Sequence, residues 1–178
     1  MAEEKKELWL NYLALTTVIL AVCATLSTFK GGGFSTRAVM SQTQTSDQWA
    51  FYQSKSIKGY LYEMQKEKLE LEMKTLGPKA AKPIIEEYGK KIVAYTTKIA
   101  KYDEEKTGIQ VEAKRLESIR DDAQKHSQIF GIAVIFLQIA VLLSSIAALT
   151  KKKYIWMIGL AVGLAGMVYF FNGFFLFL

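Results

Sequence analysis

Three stretches of the chain are apolar almost without interruption, and the residues between them are charged. Leu8 to Phe29 holds no residue that is ionised at neutral pH, Ser127 to Thr150 holds none, and Tyr154 to Leu178 is uncharged throughout. A helix needs about 20 consecutive apolar residues to cross the hydrocarbon core of a bilayer and tolerates almost no charge there. The pattern therefore predicts transmembrane helices over 8–29, 127–150 and 154–178, with a short N-terminal tail (1–7), a polar segment (30–126) and a basic loop (151–153). Because Met1 stands ahead of it, the first stretch is expected to be a retained span rather than a cleaved signal.

The polar segment carries a different period. In its second half Ile85, Tyr88, Ile92, Tyr95, Ile99, Tyr102, Lys106, Ile109, Ala113, Leu116, Arg120 and Ala123 alternate steps of three and four, the signature of a heptad seam. No proline or glycine separates this seam from the second span, so arm and span are predicted to form one helix. The first half has a looser seam through Ala50, Gln53, Ile57, Tyr60, Met64 and Leu71, and a second apolar row at Tyr62, Leu69, Met73 and Leu76. At about 100° per residue the two rows fall on nearly opposite faces. The looser seam is expected to cover the other arm, which leaves the second row for a neighbour. Gly77-Pro78 and Pro83 place a tip at 77–83 between arms 35–76 and 84–126, and Gly31-Gly32-Gly33 is expected to end the first span as a hinge. The predicted fold is an all-α membrane protein: three transmembrane helices with a long antiparallel coiled-coil helical hairpin between the first and second spans.

Average composition conceals this segregation. The whole chain is 51% hydrophobic and 22% charged, which also describes many soluble domains. Most of the charge, however, lies between Lys30 and Lys125, where acidic residues nearly balance basic ones, and that balance describes a solvated helical surface rather than a nucleic-acid footprint. One cysteine and one histidine are too few for a disulfide framework, a zinc site or an iron–sulfur cluster within one chain, so neither metal nor cofactor is expected.

Catalytic constellations are equally scarce. Glu86-Glu87, Glu104-Glu105 and Asp121-Asp122 are adjacent pairs, and neighbours on a helix point about 100° apart, which does not make an acid/base dyad. No serine sits in a nucleophile elbow, and the glycine triplet lacks the lysine and hydroxyl residue of a phosphate-binding loop. The chain is not expected to be an enzyme. The spans contain only mild polar groups, among them Asn11, Thr16, Thr17, Thr25, Gln138, Ser144, Ser145 and Asn172, which can bond to their own helix or glue helices together. A membrane scaffold or accessory subunit is therefore expected, ahead of a small oligomeric channel or transporter component.

The run Ser46-Asp47-Gln48-Trp49-Ala50-Phe51-Tyr52-Gln53-Ser54-Lys55-Ser56-Ile57-Lys58, the stretch Leu137 to Leu143 and the aromatic C-terminal span resemble the bacterial membrane proteins grouped as domain of unknown function 4337. The resemblance covers nearly the whole chain, implies a small bacterial membrane protein and carries no activity. Within that run Trp49 and Tyr52 lie one turn apart and are expected to pack between helices with the indole N–H satisfied. Gln53, at a seam position, is expected to set register as a buried amide.

Two further expectations concern partners. Lys151-Lys152-Lys153, with Lys5 and Lys6, places the N-terminus and the short loop on the cytoplasmic side of a bacterial inner membrane, and the hairpin on the periplasmic side. The unpaired row of Tyr62, Leu69, Met73 and Leu76 predicts a homo-oligomer or a place in a larger membrane protein complex. In the third span Gly159 and Gly163, with Gly166 on the same side, form a small-residue stripe that lets helices approach closely in lipid.

Overall fold

The computed structural model describes residues 2–76 and 81–177, with side chains from Leu8 onward. Helix α1 spans Ala2–Leu76, α2 spans Lys82–Thr150 and α3 spans Lys153–Phe175, and the described residues contain no strand. Each helix includes a window long and apolar enough to cross a membrane. The link between α2 and α3 is tight: Lys151 takes the left-handed conformation (φ 54°) that commonly stops a helix, and Lys152 is extended ahead of α3.

Two expected breaks are not breaks. α1 runs unbroken through Gly31, Gly32 and Gly33, so the triplet neither ends the helix nor forms a hinge. A helical glycine costs roughly 1 kcal/mol relative to alanine, a penalty that packing of the flanking turns overrides. At Gly31 the missing side chain also has a use, because a Cβ there would stand 3.0 Å from that of Phe130. Pro83 likewise belongs to the first turn of α2, where its missing N–H has no helical partner to lose. The Ile84 and Ile85 N–H groups both reach the Ala81 carbonyl, at 2.9 and 3.4 Å. Gly77, Pro78 and the rest of the expected tip as far as Ala80 lie outside the described residues.

The chain divides into two compact units, one made of 1–40 and 119–178, the other of Ser41–Ser118. In the first unit parts of all three helices enclose Leu20, Ala24, Phe130, Ala133, Leu137, Ala140 and Phe170. Its exterior is apolar as well. Leu142 is 63% exposed, Leu149 85% and Leu164 68%, which water would penalise and lipid would not.

The second unit pairs α1 with α2. On α2 the heptad row turns inward over most of its length: Ile109, Ala113 and Leu116 are buried, and Tyr88, Ile92, Tyr95, Ile99 and Tyr102 half-buried, whereas Ile85 at its start is exposed. On α1 the faces are exchanged relative to the sequence expectation. Ala50, Gln53, Ile57, Tyr60, Met64 and Leu71 are exposed, whereas Tyr62, Leu69 and Met73 are half-buried and only Leu76 of their row is exposed. The inward row of α1 proceeds through Ser41, Thr45, Gln48, Tyr52, Lys55, Gly59, Tyr62, Lys66, Leu69 and Met73, again by threes and fours. Small and polar residues dominate it because α2 brings the bulk. Tyr102, for example, packs its Cβ 3.9 Å from where a Gly59 side chain would begin.

Candidate functional site

The aromatic run of α1 supplies a direct polar contact between the two helices of the second unit. The Trp49 indole N–H donates to Glu117 Oε1 at 2.9 Å, and the Tyr52 ring meets Trp49 edge-on at 5.6 Å. Both side chains are half-buried, whereas Gln53 is exposed and so does not set register as a buried amide. One residue separates the two fates: Tyr52 is on the inward row and Gln53, about 100° further round, is not.

Further along α1, lysines and tyrosines interleave. Lys55 Nζ stands 2.6 Å from Glu105 Oε2, 5.1 Å from the centre of the Phe51 ring and 5.4 Å from that of Tyr102. The hydrogen bond from Lys55 holds the Glu105 carboxyl below its ordinary pKa against the opposing effect of desolvation. Tyr62 lies tilted against Tyr95 at 5.5 Å and stacks on Tyr102 at 5.9 Å, and Lys98 donates to its hydroxyl at 3.1 Å. As the number of the α1 residue rises from Trp49 through Lys55 to Tyr62, that of its α2 partner falls from Glu117 through Glu105 to Lys98. Trp49, Lys55 and Tyr62 are each matched to a stated partner on the other helix, which specifies how α1 pairs with α2.

The first unit contains a second cluster, around His126. Its ring stacks on Phe34 with centroids 4.4 Å apart, and Nδ1 lies 2.7 Å from the Gly173 carbonyl oxygen. A carbonyl only accepts, so Nδ1 carries the proton and His126 caps one of the last carbonyls of α3. Asn172 completes that end, its Oδ1 accepting from the Phe177 N–H at 2.7 Å. A Gly173 side chain would collide with the Phe130 ring, which lies 2.7 Å from the Cβ position. The predicted glycines continue the same line: Gly159 faces Leu143 and Ala140, Gly163 faces Leu20 and Ala140, and Gly166 abuts Leu137. They serve contacts within the chain. Gly173 extends their spacing of four and three by two further steps, through Phe170, and that continuation was the available signal for a residue the sequence reading missed. No periodicity pointed to His126 as a cap, because the acceptor is a backbone atom on another helix.

Among the described residues no group of three or more His, Cys, Asp or Glu is arranged to hold a metal ion. Over residues 9–176 the chain matches the family model described as Domain of unknown function (DUF4337). The chain belongs to the DUF4337 family. No curated protein and no solved structure matches it. The Trp49 run and the glycine line of α3 both lie inside the matched region, so the two contact sets described above are features of a DUF4337 domain.

Proposed function

We propose that this DUF4337 protein is a non-enzymatic membrane scaffold or accessory subunit that self-associates. In this reading its three apolar helical windows span a bacterial inner membrane, and residues 41–118 are an antiparallel coiled-coil hairpin on the periplasmic side, opposite Lys151-Lys152-Lys153. The supporting observation is the outward row of α1. Ile57 (59% exposed), Tyr60 (60%), Met64 (66%) and Leu71 (63%) lie on one face, within an arc of about 60° at 100° per residue. Burying a large apolar side chain is worth roughly 1.5–3 kcal/mol, so a row of four on an otherwise charged helix favours a protein neighbour over water. Identical copies sharing a membrane plane favour cyclic symmetry.

The reading is tested by the mass of the purified protein in mild detergent. Wild type is expected to be oligomeric by native mass spectrometry, and Met64→Glu with Leu71→Glu to be monomeric. A monomeric wild type would remove self-association, and a variant that assembles like its parent would assign the row to a different membrane protein. Sidedness is tested in a Cys23→Ser background. Lys79→Cys is expected to react with an impermeant maleimide from outside and Lys152→Cys to remain unlabelled.

A further inference from the structure

Packing explains only one member of the glycine triplet. Gly31 admits Phe130, but at Gly32 and Gly33 a Cβ would meet nothing within 4 Å, and each still costs helix stability relative to alanine. Above them lies an open notch of roughly 620 Å³, bordered by Phe29, Lys30, Thr36 and Arg37. Lys30 and Arg37 are seven residues apart, which puts them on one face of α1, about 10 Å apart along the axis, with Gly33 between. Both are exposed. α1 carries no acidic residue from Leu8 to Ser46, and the only charged side chains that line the notch are Lys30 and Arg37, so its lining is cationic.

Its position along the helix narrows the ligand further. Phe29 closes the first uncharged run and Lys30 is the first charge after it, which is headgroup depth for a span over 8–29. On the same face, toward the middle of that run, Leu26, Val22 and Ile19 are exposed and apolar. The surface thus offers two cations beside bare backbone and, below them, an apolar strip. We infer that this notch binds an anionic phospholipid, with its phosphate between Lys30 and Arg37 over Gly32–Gly33 and an acyl chain along Leu26, Val22 and Ile19. The Arg37 guanidinium offers a planar fork to phosphate oxygens and Lys30 a point charge. The helix has already used the glycine N–H groups, so the glycines contribute space alone.

This inference rests on the membrane-spanning part of the proposal above and not on self-association. It is tested by native mass spectrometry of the full chain in mild detergent, titrated with phosphatidylglycerol or with phosphatidylcholine of the same acyl chains. Each basic residue near an anionic headgroup contributes about a fivefold preference, so wild type is expected to favour phosphatidylglycerol on the order of twentyfold. Lys30→Gln with Arg37→Gln is expected to abolish the preference. Gly33→Leu, which fills the notch at unchanged charge and into open space, is expected to weaken it, while Lys68→Gln with Lys90→Gln leaves it intact. Equal binding of both lipids by wild type, or a preference surviving in both notch variants, would overturn the inference. So would displacement of the lipid by inorganic phosphate, which would assign the notch to a soluble phosphate compound. A change in oligomeric mass without a change in lipid occupancy would assign it to a second copy. Solubility of the purified chain without detergent would instead fail the membrane reading itself.

Discussion

The two units are built from the same two helices under opposite rules. In the first unit α1 and α2, joined by α3, are apolar inside and outside, and the interior interleaves small residues, Ser27, Ala133, Ala140 and the α3 glycines, with the large Phe130 and Leu137, while Leu142 and Leu164 face out. In the second unit the interior is half polar, with Lys55, Gln48 and Lys66 on the inward row, and large apolar residues such as Met64 face out. Lipid offers no hydrophobic reward for bringing helices together, so closeness of approach must supply the attraction, and small residues provide it. In water two helices can be held by rings, ion pairs and lysine stems, so polar seam positions are tolerated.

This contrast is broken most directly by the same substitution made in each unit. Gly166→Ala puts a Cβ 2.9 Å from Leu137 Cγ and 3.0 Å from the Leu137 backbone nitrogen, and Gly173→Ala puts one 2.7 Å from the buried Phe130 ring. Neither neighbour can withdraw freely, and each variant is expected to lose about 1–3 kcal/mol, read as a lower melting temperature in detergent. Gly59→Ala meets only Tyr102 at 3.9 Å, an ordinary contact, and is expected to gain roughly 0.5–1 kcal/mol from helix propensity. If all three variants shifted in the same direction, close approach would not distinguish the units.

A smaller effect is expected at the Trp49–Glu117 bond. Trp49→Phe keeps much of the ring packing against Tyr52 but removes the N–H that Glu117 accepts, at an expected cost of about 1 kcal/mol in thermal unfolding. Adding Glu117→Gln should cost little more, since the partner is already gone. Full additivity of the two changes would show that the bond does not couple the helices.

The sequence made the long helices and their apolar windows plain because charge-free runs of about 20 residues and an unbroken three–four period admit few other folds. It also placed the inward face of α2, whose seam is written in Ile, Tyr and Leu. The inward face of α1 was not legible. Large apolar residues pick out Ile57, Tyr60, Met64 and Leu71 and pass over the buried Ser41, Thr45 and Gly59, the last of which lies beside the bulky Tyr102. Complementarity of size is a property of the pair, and one helix read alone cannot express it. The same reason hides the difference between Gly31 and the open glycines at 32 and 33, since only the structure separates a glycine that admits a neighbour from one that borders a notch.

The smallest expected effect concerns pH and sharpens the comparison at the ionic contacts of the second unit. The folded-state pKa of Glu105 is lowered chiefly by its hydrogen bond from Lys55, with Lys101 and Lys58 assisting by charge. A carboxyl whose pKa is lower folded than unfolded stabilises the fold above its unfolded value, about 4.3, and loses that contribution as pH falls through the folded value. The contribution should therefore be complete at pH 7 and should be lost as the solution is acidified through the lowered folded value. Glu105→Gln removes the titrating group but keeps the side chain's size, so wild type should melt slightly above the variant at pH 7, by a margin that shrinks as the pH is lowered to 3. Other carboxyls titrate over the same range, Glu87 and Glu112 among them, each held low by a neighbouring base on its own helix. The informative quantity is thus the difference between wild type and variant at each pH and not the melting temperature itself. A difference unchanged down to pH 3 would mean that Glu105 acts through packing, and that the Lys55 contact adds nothing that depends on its charge.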